Sequence, residues 1–435
     1  MGRTRFLGFV FAVLLAAALG VAAGCGGDDD SAGVEALPAS ACSPLYYEGE
    51  GEPDALIASD LPLQGASRRQ NVEMAEGIKY LLKERKFMAG DLHVAFQSCD
   101  DSTAQAGKWD AAKCSSNAQA YAENKKLLGV VGTFNSNCVA LIIPVANRAP
   151  GGPLAIVSPA NTYLGLTKSG PGTKPGEPDS YYPGGGRNFA RVVAADDYQG
   201  AADALLAQQL GLKNVFILTD KELYGQGIAD LTEAALQKLG IGVAGVQAWD
   251  GRQTSYEALA NRVAQTGADG VFLAGIIDNN GGKLIKDMRA VLGADFPIIV
   301  PDGFTPIPAV VDEAGAASEG VYVTVAGVPT EELKGRGKEF IDGFGAATGN
   351  RPGPYAAYAA QAADLLLDAI GASDGSRQSV VDNVFSLDVK DGILGDFSIS
   401  DSGDTDQNPV TAYRIVNGEQ TTFTVITPPA EMVSG

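Results

Sequence analysis

The sequence predicts an α/β fold of two similar lobes, each a Rossmann-like layer of parallel strands covered by helices. Three observations carry that prediction. From Asp54 onward, short apolar runs alternate with amphipathic stretches at helical spacing, the pattern of strand–helix–strand units. A second series of the same kind opens at Phe189, beyond a stretch crowded with proline and glycine (168–187) that no helix or strand interior accommodates. The chain has 435 residues, which at roughly 150 per domain is enough for two or three well-buried cores.

In the first series, residues 55–59 read as a strand. Residues 71–86 read as a helix, with Met74, Ile78, Leu81 and Leu82 on one face. A strand over 92–97 follows, then one long helix or two short ones over 104–126, a strand over 128–131, a helix over 138–147 and a strand over 154–157. The second series places strands at 189–193, 215–219, 243–248, 270–274 and 297–300, with helices at 199–210, 227–239, 256–265 and 283–291 between them. The tail breaks this rhythm: a strand over 320–325, helices over 331–346, 355–370 and 379–385, then β-rich pieces from 393 to 426. A return tail after two complete series implies more than one crossing between lobes.

Residues 128–162, LGVVGTFNSNCVALIIPVANRAPGGPLAIVSPANT, concentrate the functional signal. They read as strand, polar loop, helix, strand and second polar loop. Both loops lie at the carboxyl ends of strands, where free N–H groups and a helix dipole point into the crevice of an open α/β sheet. Asn135, Ser136, Asn137, Ser158, Asn161 and Thr162 offer hydrogen bonds without a nucleophile–base pair, which suits holding a ligand rather than transforming it.

At the amino terminus, Arg3 and Arg5 precede an uncharged apolar run over residues 6–23, the pattern of an export signal (1–24). Ala22-Ala23-Gly24-Cys25 resembles a lipobox, which makes Cys25 the expected lipid attachment point and residues 25–42 a flexible tether. Without residues 1–24 the chain carries 30 basic and 52 acidic residues, a net charge of −22. The basic residues are scattered among acids, so nucleic acid is not an expected partner. In an exported chain, Cys42, Cys99, Cys114 and Cys138 are expected to form two disulfides, for which three pairings are open. A metal site is the rival use, but there is no C-x-x-C, and the single histidine, His93, falls in a strand. The GPGTKPG run lacks the N–H donors and following helix of a phosphate loop, and no cofactor is expected.

GTFNS at 132–136, SPANT at 158–162, RVVAADDYQG at 191–200, DKELYGQG at 220–227 and PDG at 301–303 occur in one order and spacing. Together they resemble the type I periplasmic binding proteins of the leucine/isoleucine/valine-binding kind, receptors of ABC importers. The resemblance covers about residues 54–423. It implies two lobes joined by three crossover segments, here about 43–194 with 327–403 and 195–326 with 404–435. The family's ligand contacts fall on Ser136, Ala160, Asn161 and Thr162 in the first lobe, and on Tyr224 and Ile276 (or Ile277) in the second. Asp196 matches an acidic position near a crossover, and Asp302 takes the place of the ammonium-binding glutamate, one methylene shorter. A first-lobe tryptophan aligns near Gln70, where this loop carries Arg68 and Arg69 instead. An inward guanidinium there would favour a second anionic group on the ligand; the alternative is that both arginines stay in water at the start of the first helix. The resemblance also implies Cys99 paired with Cys138, leaving Cys42 with Cys114.

The resulting expectation is a lipid-anchored, extracytoplasmic receptor that captures an amino acid or similar small zwitterion and hands it to an ABC permease complex. A sensory receptor of the same fold, for a small amide or carboxylic acid, is the alternative. Catalysis would have to draw on Asp100, Asp101 or Asp196, and no serine elbow, metal cluster or cofactor loop accompanies them.

Overall fold

In a computed structural model, Gly2 and residues 33–433 are described; the export signal, Cys25 and the start of the tether lie outside the described residues. The first series forms β1 (Ala55–Leu61), α1 (Arg68–Glu84), β2 (Met88–Ala89), β3 (Leu92–Asp100), β4 (Ser102–Thr103), β5 (Lys108–Trp109), α2 (Ala111–Glu123), β6 (Leu127–Gly132), α3 (Ser136–Asn147), β7 (Ala155–Ser158) and β8 (Phe189–Arg191). Six of its strands make one sheet in the order β2-β3-β1-β6-β7-β8, parallel except for the short β2–β3 pairing. Every residue of β1 and of β6 is buried, as a strand covered on both faces requires.

The second series forms α4 (Asp196–Gln209), β9 (Asn214–Thr219), α5 (Leu223–Lys238), β10 (Gly242–Ala248), α6 (Glu257–Gln265), β11 (Gly270–Ala274), α7 (Gly281–Leu292), β12 (Ile298–Val300), α8 (Ile307–Ala314) and β13 (Tyr322–Ala326). The chain then supplies α9 (Arg336–Thr348), α10 (Pro354–Gly371), α11 (Arg377–Ser386) and the β14 (Asp388–Gly392)–β15 (Gly395–Ser398) hairpin, and ends with β16 (Val410–Val416) and β17 (Glu419–Ile426). The second sheet has the order β10-β9-β11-β12-β13-β16-β17, with β16 and β17 antiparallel at one side. Because α10 packs on α1, β6 and β7, the chain passes between sheets three times: after β8, after β13 and before β16.

Strand order fixes where a ligand can sit. In the first sheet β1 is flanked by β3 on one side and β6 on the other; in the second, β9 is flanked by β10 and β11. Successive crossovers depart in opposite directions at these points, which opens a crevice beyond the strand tips.

Several expectations need correcting. The stretch 104–126, expected as one long helix or two short ones, instead opens with the turn and second strand of the β4–β5 hairpin and then forms one helix, whose start is set by Asp110, a cap accepting from Ala112 N and Lys113 N at 3.0 Å. The last part of the expected tether is packed: Leu37 is buried, its N–H reaches Gln97 Oε1 at 2.6 Å, and Cys42 and Tyr46 lie alongside β3. That register puts Cys42 beside Cys99, with Cα atoms 3.9 Å apart, while the side-by-side packing of α2 and α3 puts Cys114 beside Cys138 at 5.5 Å. The disulfides are therefore Cys42–Cys99 and Cys114–Cys138, not Cys99–Cys138 and Cys42–Cys114. Asp101 lies within 4.8 Å of both sulfurs of the second bridge, a trio that could ligate metal only as free thiols. His93 is satisfied structurally, its Nδ1 lying 2.8 Å from the Tyr47 hydroxyl.

Candidate functional site

Loops from both switch points converge on one small interlobe cavity of ≈ 20 Å³. Its walls are Phe134, Asn135, Ser136, Asn137, Ala160 and Thr162 from the first lobe, and Glu222, Tyr224, Ile276, Asp302 and Gly303 from the second. The walls all but meet, leaving space for about one water between the closed lobes.

On the first-lobe side, Asn135 precedes α3 in an extended conformation and makes no side-chain cap, so the helix start keeps amides and a positive dipole end for an anion. The neighbouring loop is braced from within. Ser158 Oγ accepts from Asn161 N at 2.8 Å and from Ala160 N at 3.2 Å, and donates to Asn161 Oδ1 at 2.8 Å; Asn161 Oδ1 also accepts from Thr133 N at 2.9 Å. Asn161 thus ties the loop after β7 to the loop after β6 and leaves Thr162 and Ala160 on the wall.

Behind this loop sits Arg191, fully buried. Its guanidinium donates to Asp404 Oδ1 at 2.8 Å, to the Asn161 and Tyr163 carbonyls at 3.0 Å each, and to Thr167. Lys168 lies 2.9 Å from the other Asp404 oxygen. Burial pushes the Asp404 carboxyl upward, but the two cations prevail and hold it well below the usual carboxylate range.

On the second-lobe side, Asp302 is buried between two phenols. Tyr224 donates to one carboxylate oxygen, and Tyr355, which α10 brings over from the first lobe, donates to the other at 2.7 Å. Burial raises the Asp302 pKa even against these bonds. Asp196 opens α4 directly behind the cavity, with its N–H on the Thr162 carbonyl at 2.8 Å and both carboxylate oxygens buried without a partner. Burial, and then the facing charge of Asp302, drive its pKa well up. Two facing acids whose ionisation burial opposes leave this end open to a positively charged group that would stabilise their carboxylates.

Of the residues singled out from sequence, Ser136, Ala160, Thr162, Tyr224, Ile276 and Asp302 line the cavity. Asn161 and Asp196 stand one layer behind it. Ile277 instead faces a wider rim groove that also includes Ala66, Gly107 and Arg252. Arg68 and Arg69 are exposed on the first turn of α1, and Gln70 turns inward, donating to Thr305 Oγ1 of the other lobe at 3.1 Å. A cleft guanidinium, and with it a second anionic group on the ligand, is therefore not supported. Phe134, Glu222, Gly303 and Tyr355 were missed. Only the GTFNS and DKELYG contexts hinted at the first two, while Tyr355 reads as core on a helix buried along most of its length.

Two lobes gripping a small enclosed cavity by their strand tips define a solute-binding protein. Residues 102–422 match the periplasmic binding protein family model, and the chain belongs to that family. It is thus a binding protein rather than an enzyme. Its relatives include an amino acid binding protein of Pseudomonas aeruginosa, 27% identical over 40% of this chain and 41% of the relative. A leucine-, isoleucine-, valine-, threonine- and alanine-binding protein of the same organism is 25% identical over 51% of this chain and 59% of the relative. The chain thus spans about half the length of these two relatives. A Leu/Ile/Val-binding protein homologue of Brucella abortus is 24% identical over 83% and 90% of the two chains. Among solved structures, a leucine binding protein of Thermotoga maritima superposes with a TM-score of 0.74 at 22% identity, covering 86% of this chain and 99% of that one. A solute binding protein of Rhodopseudomonas palustris in complex with benzoate gives 0.70 at 17% identity, covering 86% and 96%. At these identities the likeness is one of fold.

Proposed function

We propose that this chain is an exported, lipid-tethered receptor that captures an amino acid between its lobes and delivers it to an ABC permease. The observation that carries the reading is the polarity of the cavity. An uncapped helix start with Ser136 and Thr162 suits a carboxylate at one end, and Asp302, backed by Asp196, suits an ammonium at the other. The relatives that bind leucine, isoleucine, valine, threonine or alanine support an α-amino acid. Phe134, Tyr224 and Ile276 supply apolar contact for its side chain. Ligand contacts completed only when both lobes meet would shift the population toward the closed form. Among the described residues no helix is long and apolar enough to cross a membrane.

A thermal-shift screen of the common amino acids together with benzoate and 4-hydroxybenzoate tests the reading. A true ligand at 100 times its Kd adds about 2.7 kcal/mol to stability. Thr162→Ala and Asp302→Asn should each weaken the best amino acid at least tenfold by calorimetry. If only the aromatic acids bind, and Asp302→Asn leaves them untouched, the zwitterion reading fails.

A further inference from the structure

The β4–β5 hairpin extends from the first lobe onto the second. Its base is fixed on both sides. Asp100 accepts from Leu63 N at 3.0 Å and Ser102 N at 2.9 Å, Asp110 caps α2, and the Cys114–Cys138 bridge ties the first turn of α2 to that of α3. From this base two side chains reach across. Lys108 Nζ donates to Glu222 Oε1 and, at 2.7 Å, to Asn279 Oδ1; Trp109 Nε1 donates to Glu222 Oε2 at 2.9 Å. The Trp109 ring is half-buried against apolar residues of both lobes.

The receiving group is itself prepared. Asn279 Nδ2 donates to Glu222 Oε1 at 2.9 Å and to Asp220 Oδ2 at 2.8 Å, and Asp220 accepts from Ile276 N and Glu222 N at 3.0 Å each. Glu222 immediately precedes α5 and lines the cavity two residues from Tyr224. Nearby, a Cβ on Gly65 would stand 1.7 Å from the Gly107 carbonyl oxygen and 2.6 Å from Asp278 Oδ1. The loop after β1, the hairpin and the second lobe therefore meet at a point that admits only glycine.

We propose that Lys108 and Trp109 are positioning residues of an interlobe clasp: they close on Glu222 and Asn279 as the lobes shut, and they set the lifetime of the closed form. These bonds join the lobes only in the closed geometry. On opening, Glu222 keeps Asn279 and gains water, and Lys108 returns to solvent, so the polar part of the clasp weights the closed form while Trp109 keeps its packing on the first lobe. Side-chain exposures of 27% for Lys108 and 11% for Glu222 make the ion pair open to screening by salt. The clasp goes beyond the proposed ligand and holds whatever solute the cavity takes.

The test is single-molecule energy transfer on the full chain without added ligand, with dyes at the exposed residues Lys125 and Gln237, one on each lobe. The wild type should show closed-state dwells that Lys108→Met and Trp109→Phe each shorten roughly tenfold, the worth of one hydrogen bond to a charged partner. Lys108→Arg should restore much of the dwell, 1 M NaCl should shorten it wherever a cation remains at position 108 but not in Lys108→Met, and the melting temperature should stay within about 2 °C, as for a surface change. Dwells unchanged in both variants, or a wild type that never visits the closed form, overturn the proposal. Failure here with intact amino acid binding leaves the ligand reading standing, and the reverse outcome separates them equally well.

Discussion

Replacing Arg191 by methionine tests whether the ligand loop is held from behind. The guanidinium is fully buried and makes four contacts: Asp404, the Asn161 and Tyr163 carbonyls on either side of Thr162, and Thr167. Breaking a buried ion pair by removing one partner costs about 3–5 kcal/mol. Two carbonyls would also lose a donor, at about 1–3 kcal/mol each where no water reaches them. Lys168 remains 2.9 Å from Asp404 and keeps that carboxylate from being stranded, so a loss of about 4 kcal/mol is expected. For 435 residues at about 2.1 cal/mol/K each, this corresponds to a drop of roughly 4–5 °C in Tm. Scanning calorimetry measures it, and titration with the best ligand should show weaker binding as well, because Thr162 loses its support. Arg191→Lys, which keeps the charge but not the fork, should fall between. A methionine variant melting within a degree of wild type would refute the reasoning.

Burial lifts the Asp203 carboxyl to about 8 although Thr324 donates to it at 2.7 Å. The stability this group contributes is complete below the ordinary carboxylate pKa and is lost as pH rises toward 8, so Asp203→Asn should flatten the fall in stability between pH 4 and 8 in denaturant titrations. Gly65→Ala places a methyl at the lobe contact in a backbone with φ +84°, and should weaken ligand binding more than tenfold by calorimetry. Replacing Cys114 and Cys138 by serine removes a link across 24 residues and should cost about 3 kcal/mol of unfolding free energy, read by guanidinium titration.

The fold was legible where local pattern and tertiary role agree. The buried strands and α1 carry apolar runs or helical periodicity that no other element would want. The 104–126 stretch misled because it is rich in alanine and other good helix formers, while what shapes the hairpin is docking on Glu222 and the turn at Gly107, with φ +63°. Helix α8 was not foreseen: it begins Ile307-Pro308 directly after the PDG motif, in a stretch read only for its turn. Similarly, α9 starts at Arg336 rather than 331, because Gly335 takes a positive φ and breaks the earlier turn. In the site, positions at strand ends could be named because sequence marks strand ends. Tyr355 and the Lys108–Trp109 pair could not, since each acts on a residue of the other lobe far along the chain.

The order of the two bridges bears on how the molecule is made. Counting from Cys42, the first cysteine joins the second and the third joins the fourth. With Cys25 taken up by the proposed lipid, a nascent chain emerging amino end first therefore presents each native partner before any competing thiol arrives. Simple oxidation in order of appearance yields the native pairing, and reshuffling by an isomerase becomes dispensable.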